Sequence, residues 1–166
     1  MEVRILSEED LEAFRALRLL ALKTNPEAFA STYNREAEFP LDRFKSRLST
    51  DAGNFIVGGF IEEKLVCNAS FLRSQGEKSA HKGMIVAMYC DRDYRGTGVA
   101  QAVMQYLLDE ARNIDGLVKV DLTVVSDNHR AKAFYESFGF TMYGKEPMAM
   151  FDGEHYVDEY LMTLAL

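Results

Sequence analysis

Apolar and polar positions change period several times along the chain, and each change marks an element. Val3 to Leu6 predicts a short opening strand. Ser7-Glu8-Glu9-Asp10 then reads as a helix start, with Ser7 as N-cap and acidic residues at the positive end of the helix dipole. Leu11, Phe14, Leu17 and Ala21 follow at helical spacing, so that helix has one apolar face, and Asn25-Pro26 ends it. A polar, aromatic connector runs from Glu27 to Phe39, and Pro40 begins a second short helix reaching Leu48.

The middle of the chain is β-prone. Asn54 to Phe60 and Leu65 to Leu72, separated by Glu62-Glu63-Lys64, predict a hairpin. Lys82 to Cys90 is nearly continuous in apolar residues, as in a central strand. A helix over Gly98 to Ile114 carries the stripe Val99, Val103, Tyr106, Leu107, Ala111 and Ile114, and Val118 to Val125 is the next strand. Asp127-Asn128 caps a short helix with Phe134 and Phe138 one turn apart. Gly139 suits its left-handed exit, with Phe140 as the apolar contact behind it. Phe140 to Tyr143 and Tyr156 to Leu164 are late strands. Strands alternating with helices after an early hairpin imply an α/β (α+β) fold.

Composition narrows the function classes. With 166 residues, no internal repeat and no Pro/Gly/Ser-rich linker, residues 1–166 read as a single domain. Hydrophobic residues at 48% and charged residues at 27% suit a globular protein, and no apolar run approaches the ~18 residues of a membrane span. The first residues lack the pattern of a signal peptide, so a cytoplasmic location is expected. The 26 acidic and 19 basic residues leave a net charge of -7, which disfavours a nucleic-acid partner. Cys67 and Cys90 lie in apolar runs and read as buried thiols; His81, His129 and His155 stand far apart, so no metal site is expected.

The chemistry gathers after the central strand. Asp91-Arg92-Asp93-Tyr94 leads into Arg95-Gly96-Thr97-Gly98, where a helix begins. Such a turn presents unpaired N–H groups to an anion, and glycine lets a phosphate approach the backbone; Arg95 is placed to add a positive charge. A plain strand–turn–helix junction accounts for the hexapeptide equally well. A P-loop needs Lys-Ser/Thr where Val99-Ala100 stands, and a dinucleotide fingerprint needs Gly or Ala where Gln101 stands.

Arg-x-x-Gly-x-Ala, here Arg95 to Ala100, resembles the pyrophosphate-binding turn of GNAT acetyltransferases. One helix and one strand downstream, Asn128-His129-Arg130-Ala131-Lys132-Ala133-Phe134-Tyr135, followed by Gly139-Phe140, is similar to that family's second signature. The resemblance spans nearly the whole chain. It implies a mixed, mostly antiparallel twisted sheet of about six to seven strands with about four helices. It also implies acetyl-CoA as co-substrate and an amine, on a small molecule or peptide, as acceptor, with a homodimer as the possible assembly. Met88, Tyr89 and Cys90 would pair with the pantetheine arm, and Arg95, Gly96, Thr97, Gly98, Val99 and Ala100 would hold the pyrophosphate. Asn128 would contact the cofactor, and Tyr135 would stand near its sulfur.

The mechanism then implied is direct attack by a neutral amine in a ternary complex. A backbone N–H near Met88 to Cys90 would stabilise the carbonyl oxygen, and Tyr135 would protonate the leaving thiolate. No acid stands on the central strand, so Glu36, Glu38, Asp158 and Glu159 remain open as general base. The segments Phe29 to Phe39, the hairpin before Lys82, and Met148 to Tyr156 would line the acceptor pocket; Tyr33, Phe39, Met148, Met150, Phe151 and Tyr156 fit core packing or a subunit interface equally. The rival readings are an idle acyl-CoA-binding module on the same fold and a nucleotide-binding Rossmann domain.

Overall fold

The β-prone runs resolve into seven strands of one sheet in the computed structural model, which describes residues 1–166. In chain order the elements are β1 (Glu2–Ile5), α1 (Leu11–Thr24), α2 (Tyr33–Ala37), α3 (Leu41–Arg47), β2 (Phe55–Ile61), β3 (Lys64–Arg73), β4 (Lys82–Cys90), α4 (Val99–Arg112), β5 (Lys119–Val125), α5 (His129–Glu136), β6 (Thr141–Phe151) and β7 (Tyr156–Ala165). The strand order is β1-β2-β3-β4-β5-β7-β6. Every neighbouring pair is antiparallel except β4–β5.

Two apolar clusters cover the two faces. On one, α4 buries Val99, Val103, Met104, Leu107, Leu108 and Ala111. On the other, Phe14, Leu17 and Ala21 of α1 meet Phe44 of α3 and Ile56, Phe60, Leu65 and Tyr89 of the sheet. Each such large side chain contributes about 1.5–3 kcal/mol on leaving water. Gly59 is what lets α4 lie so close: a Cβ there would sit 2.6 Å from Val99 Cγ2 and 2.7 Å from Val103 Cγ2. No helix is long and apolar enough to cross a membrane.

Several boundaries differ from the sequence expectation, each for a local reason. The helix expected from Ser7 starts with a 3-10 turn, Glu8–Asp10. There Asp10 accepts the Ser7 N–H at 2.8 Å and takes both Arg4 guanidinium nitrogens at 2.7 and 2.8 Å. The connector contains α2, a fifth helix, capped by Thr32 Oγ1 accepting from the Arg35 N–H at 3.3 Å. α4 ends at Arg112, short of the expected Ile114; Met104 and Leu108 are buried while Tyr106 is only half-buried, so the stripe is rotated and wider than read. The strand expected at Phe140–Tyr143 continues to Phe151 because β7 pairs with it on to Phe151↔Tyr156.

Candidate functional site

The site is built by two parallel strands that part company. β4 and β5 pair only through Lys82–Met84 and Lys119–Asp121. Beyond that point β4 stays with β3, while β5 runs with β7 to Val125. A wedge therefore opens in the middle of the sheet. β4 is also kinked: Ala87 has φ 55°, and the pairing jumps from Ser70↔Val86 to Asn68↔Tyr89. A residue with a Cβ in that left-handed region costs about 1–2 kcal/mol, and such irregularities re-aim a strand beside a site.

Two cavities meet at the wedge. One, of about 870 Å³, extends under α1 and α3. The other, of about 790 Å³, extends along the turn between β4 and α4. Met88, Tyr89, Val125, Asn128 and Tyr135 belong to the walls of both.

In the turn-side cavity the glycines behave as their positions suggest. Gly96 and Gly98 have φ 78° and 90°, and a Cβ on either would meet nothing within 4 Å. The N–H groups of Gly96, Thr97, Gly98, Ala100 and Gln101 donate to no protein acceptor; Val99 N–H has a long contact with Thr97 Oγ1 at 3.5 Å, and the first donor of the regular α4 ladder is Ala102. A row of free donors at a 14-residue helix's positive end fits a pyrophosphate-like anion. Val99 itself is buried in the core, whereas Ala100 lines the cavity.

The Arg95 side chain turns the other way. Its Nε donates to Cys90 O at 3.0 Å, and its terminal nitrogen to Asn25 Oδ1 at 3.1 Å. The guanidinium therefore braces the turn against β4 and the end of α1; both acceptors are neutral, so its positive charge stays in the wall of the turn-side cavity.

Of the β4 residues, Tyr89 is buried with its hydroxyl 2.8 Å from Thr24 Oγ1. Met88 and Cys90 are half-buried, and Cys90 faces Cys67 directly across β3–β4. Asn128 is the helix cap, the role left open between it and Asp127: its Oδ1 accepts the Ala131 N–H at 3.1 Å, leaving the amide NH₂ free beside both cavities. Tyr135 is 9% exposed and held edge-on between Phe134 and Phe140, at ring distances of 5.5 and 6.1 Å. Burial, with the Cys67 thiol nearby, pushes its phenol well above the ordinary range, and no hydrogen bond offsets this.

The larger cavity has an apolar body and one cationic wall. Arg18 grips Glu36 through Nε at 3.1 Å and a terminal nitrogen at 2.9 Å, and Arg47 adds a contact at 2.8 Å. Burial alone would push the Glu36 carboxyl up; the two guanidiniums outweigh it and hold it down at about 2. Glu36 is thus an ion-pair anchor, 1% exposed, and its expected availability as a base is overturned. Two guanidiniums share one carboxylate, so this wall keeps one positive charge in excess.

Replacing Glu36 with Gln should cost about 3–5 kcal/mol, because it strands two cations against the core; urea unfolding of the variant measures it. The sign with pH follows from the depressed carboxyl. Its contribution is complete above about 4.5 and is lost as pH falls toward about 2. The variant should lack that segment of acid sensitivity.

The other acids separate as clearly. Glu38 is exposed and lines neither cavity. Asp158 accepts the Met148 N–H at 2.8 Å and pairs with Lys145 at 3.2 Å. Glu159 lines the larger cavity. Of the expected pocket residues, Phe29 and Met150 are in the wall, while Tyr33, Phe39, Met148, Phe151 and Tyr156 are not. Sequence reading missed Arg18 and Arg47, whose partner Glu36 lies 18 and 11 residues away with no local signature.

Comparison with known proteins agrees with the fold. The model of the acetyltransferase (GNAT) family matches residues 14–140. The L-amino acid N-acetyltransferase AaaT of Escherichia coli (strain K12) is 26% identical over 163 residues, covering 97% of this chain and 95% of the relative. The ribosomal-protein-alanine N-acetyltransferase of Brucella melitensis superposes with a TM-score of 0.87 at 21% identity, covering 100% of both chains. The yncA protein of Salmonella typhimurium, solved with its cofactor acetyl-CoA, gives a TM-score of 0.85 at 18% identity, covering 99% of this chain and 93% of that one.

Proposed function

The chain belongs to the GNAT acetyltransferase family, and from that premise we propose that it moves the acetyl group of acetyl-CoA to the amine of a small amino acid in a ternary complex. One observation carries the reading: the unpartnered Tyr135 phenol stands where a cavity with a row of free N–H donors meets a second cavity able to admit an acceptor. An idle binding module would need only the first of these. The proposed catalytic domain is the whole of residues 1–166.

Acetyl-CoA supplies the activated acyl group as a thioester. Gly96, Thr97, Gly98 and Ala100 hold its pyrophosphate through their free N–H groups, with Arg95 bracing the turn and Val99 anchoring it in the core. The backbone of Met88, Tyr89 and Cys90, freed on the cleft side by the splay from β5, pairs with the pantetheine arm. The kink at Ala87 aims β4 N–H groups toward the reacting carbonyl, where they stabilise developing negative charge. The free amide of Asn128 donates to the cofactor, and Tyr135 gives its proton to the departing sulfur.

The acceptor class rests on the cationic wall. Arg18 and Arg47 carry one more charge than Glu36 neutralises, on one wall of a mostly apolar cavity whose carboxylates, Asp51 and Glu159, come from other elements. A substrate carboxylate satisfies that excess, and the similarity to a relative named for L-amino acids supports the same class.

The test is a panel of L-amino acids against their decarboxylated amines, with CoA thiol release and product mass as readouts. N-acetyl amino acids are expected. The decarboxylated counterparts should be poorer by roughly 10- to 100-fold, the value of one charged hydrogen bond of about 1.5–3 kcal/mol. Equal rates would remove the acceptor class, and no CoA release with any amine would leave only the binding module.

A further inference from the structure

We propose that Glu159 is the general base of this site, taking the proton that the acceptor nitrogen loses as it bonds to the acyl carbon; this rests on the transferase reading above. Parity along β7 aims it. Met162 is buried among the residues packed against α4, with Tyr160 and Leu164 beside it. Successive strand residues alternate faces, so Glu159 points to the opposite face, the one on which the larger cavity lies.

Register then places it. Glu159 lies directly opposite Val125 on β5, and Val125 is part of the wall where both cavities meet. Facing residues in an antiparallel pair have Cβ atoms about 4.5–5.5 Å apart on one face. The carboxylate is therefore one cross-strand step from the junction at which Tyr135 stands on the far side.

Availability separates Glu159 from the other acids. Only Asp51 and Glu159 contribute carboxylates to the larger cavity, and Asp51 is an exposed residue in the turn before β2. Glu36 is consumed by two guanidiniums, and Asp158 by Lys145 and a backbone N–H. Glu159 is half-buried, and no ion pair or hydrogen bond engages its side chain. The charged and titratable groups facing it are Glu146 across β6, Tyr135 on α5, Tyr89 on β4, Arg18 and Arg47 on the far wall and Asp51 at the rim; the adjoining part of β5 contributes none.

The proton accounting closes without further groups. As the C–N bond forms, the nitrogen gains positive charge and its N–H becomes strongly acidic, so a carboxylate is a sufficient acceptor. The N–H bond breaks, an O–H bond forms on Glu159, the C–S bond breaks, and Tyr135 protonates the sulfur. Glu159 then loses its proton and the Tyr135 phenolate regains one, both by exchange with solvent through the cavity mouth. An acceptor that enters as an ammonium among Phe14, Phe29, Phe55 and Phe71 first gives one proton to the same carboxylate, which passes it to solvent before the neutral amine attacks.

The deciding measurement is steady-state kinetics of Glu159→Gln and Glu159→Asp on the full chain across pH, with Glu146→Gln as control. Glu159→Gln should lower kcat about 100-fold with the KM for acetyl-CoA within about twofold, and should lose the acid limb of the wild-type profile. Glu159→Asp should keep that limb at reduced kcat, and Glu146→Gln, which removes the carboxylate facing Glu159, should keep the wild-type kcat on the pH plateau. A Glu159→Gln enzyme within about threefold of wild type, or one that keeps the acid limb, would overturn the assignment. A wild type inactive on every amine would instead overturn the transferase reading and this one with it.

Discussion

Tyr135→Phe should lower kcat for acetyl transfer by about 10²–10³-fold while leaving acetyl-CoA affinity within a few fold. The variant removes one oxygen from a ring whose position is set by Phe134 and Phe140, so the packing survives. No protein hydrogen bond is lost, since the hydroxyl has none to lose. Any large effect must then come from the reaction itself. A phenol pushed up by burial is a poorer acid in water, but a thiolate leaving into the same buried junction is raised for the same reason. Matching between donor and acceptor is what proton transfer needs, and burial moves both together. Equilibrium binding of acetyl-CoA, measured beside kcat, separates the two effects. Unchanged turnover would remove Tyr135 as the acid and leave it a core aromatic.

The parts of the molecule that were legible in sequence are those written locally. The periodic stripe of α4, the apolar run of β4 and the Gly139 exit from α5 each lie within one element, and each is found near where it was read. The free N–H row follows from Gly96 and Gly98 in the same way, because a positive φ favours glycine wherever the turn sits. What escaped the sequence depends on distant partners. Ala87 carries no mark of its left-handed conformation; the paths of β3 and β5 on either side impose it. Arg95 was read as adding a positive charge to the turn, and which way its guanidinium goes is decided by Cys90 O and Asn25, which no local pattern shows. Glu36 looked like any connector carboxylate until α1 and α3 brought two arginines to it.

Gly98→Asp should weaken acetyl-CoA binding by at least about 10³-fold without unfolding the protein. The position has open space on its Cβ side, so the new side chain meets nothing; φ 90° strains any side chain there, but by too little to unfold the domain. The energetic change is electrostatic. A carboxylate placed about 4 Å from a pyrophosphate charge, at an effective dielectric of about 20, is worth roughly 4 kcal/mol of repulsion. It also competes for the N–H groups of Ala100 and Gln101 as an N-cap would. That competition offsets only a small part of the backbone strain, so the variant should lose about 1–2 kcal/mol in urea, as Gly98→Ala does, while its acetyl-CoA affinity collapses. Gly98→Ala provides the comparison, since it carries the backbone strain of about 1–2 kcal/mol without the charge. If Gly98→Ala and Gly98→Asp bind acetyl-CoA equally, the turn holds no phosphate. If only the aspartate loses binding, the anion is held at the start of α4.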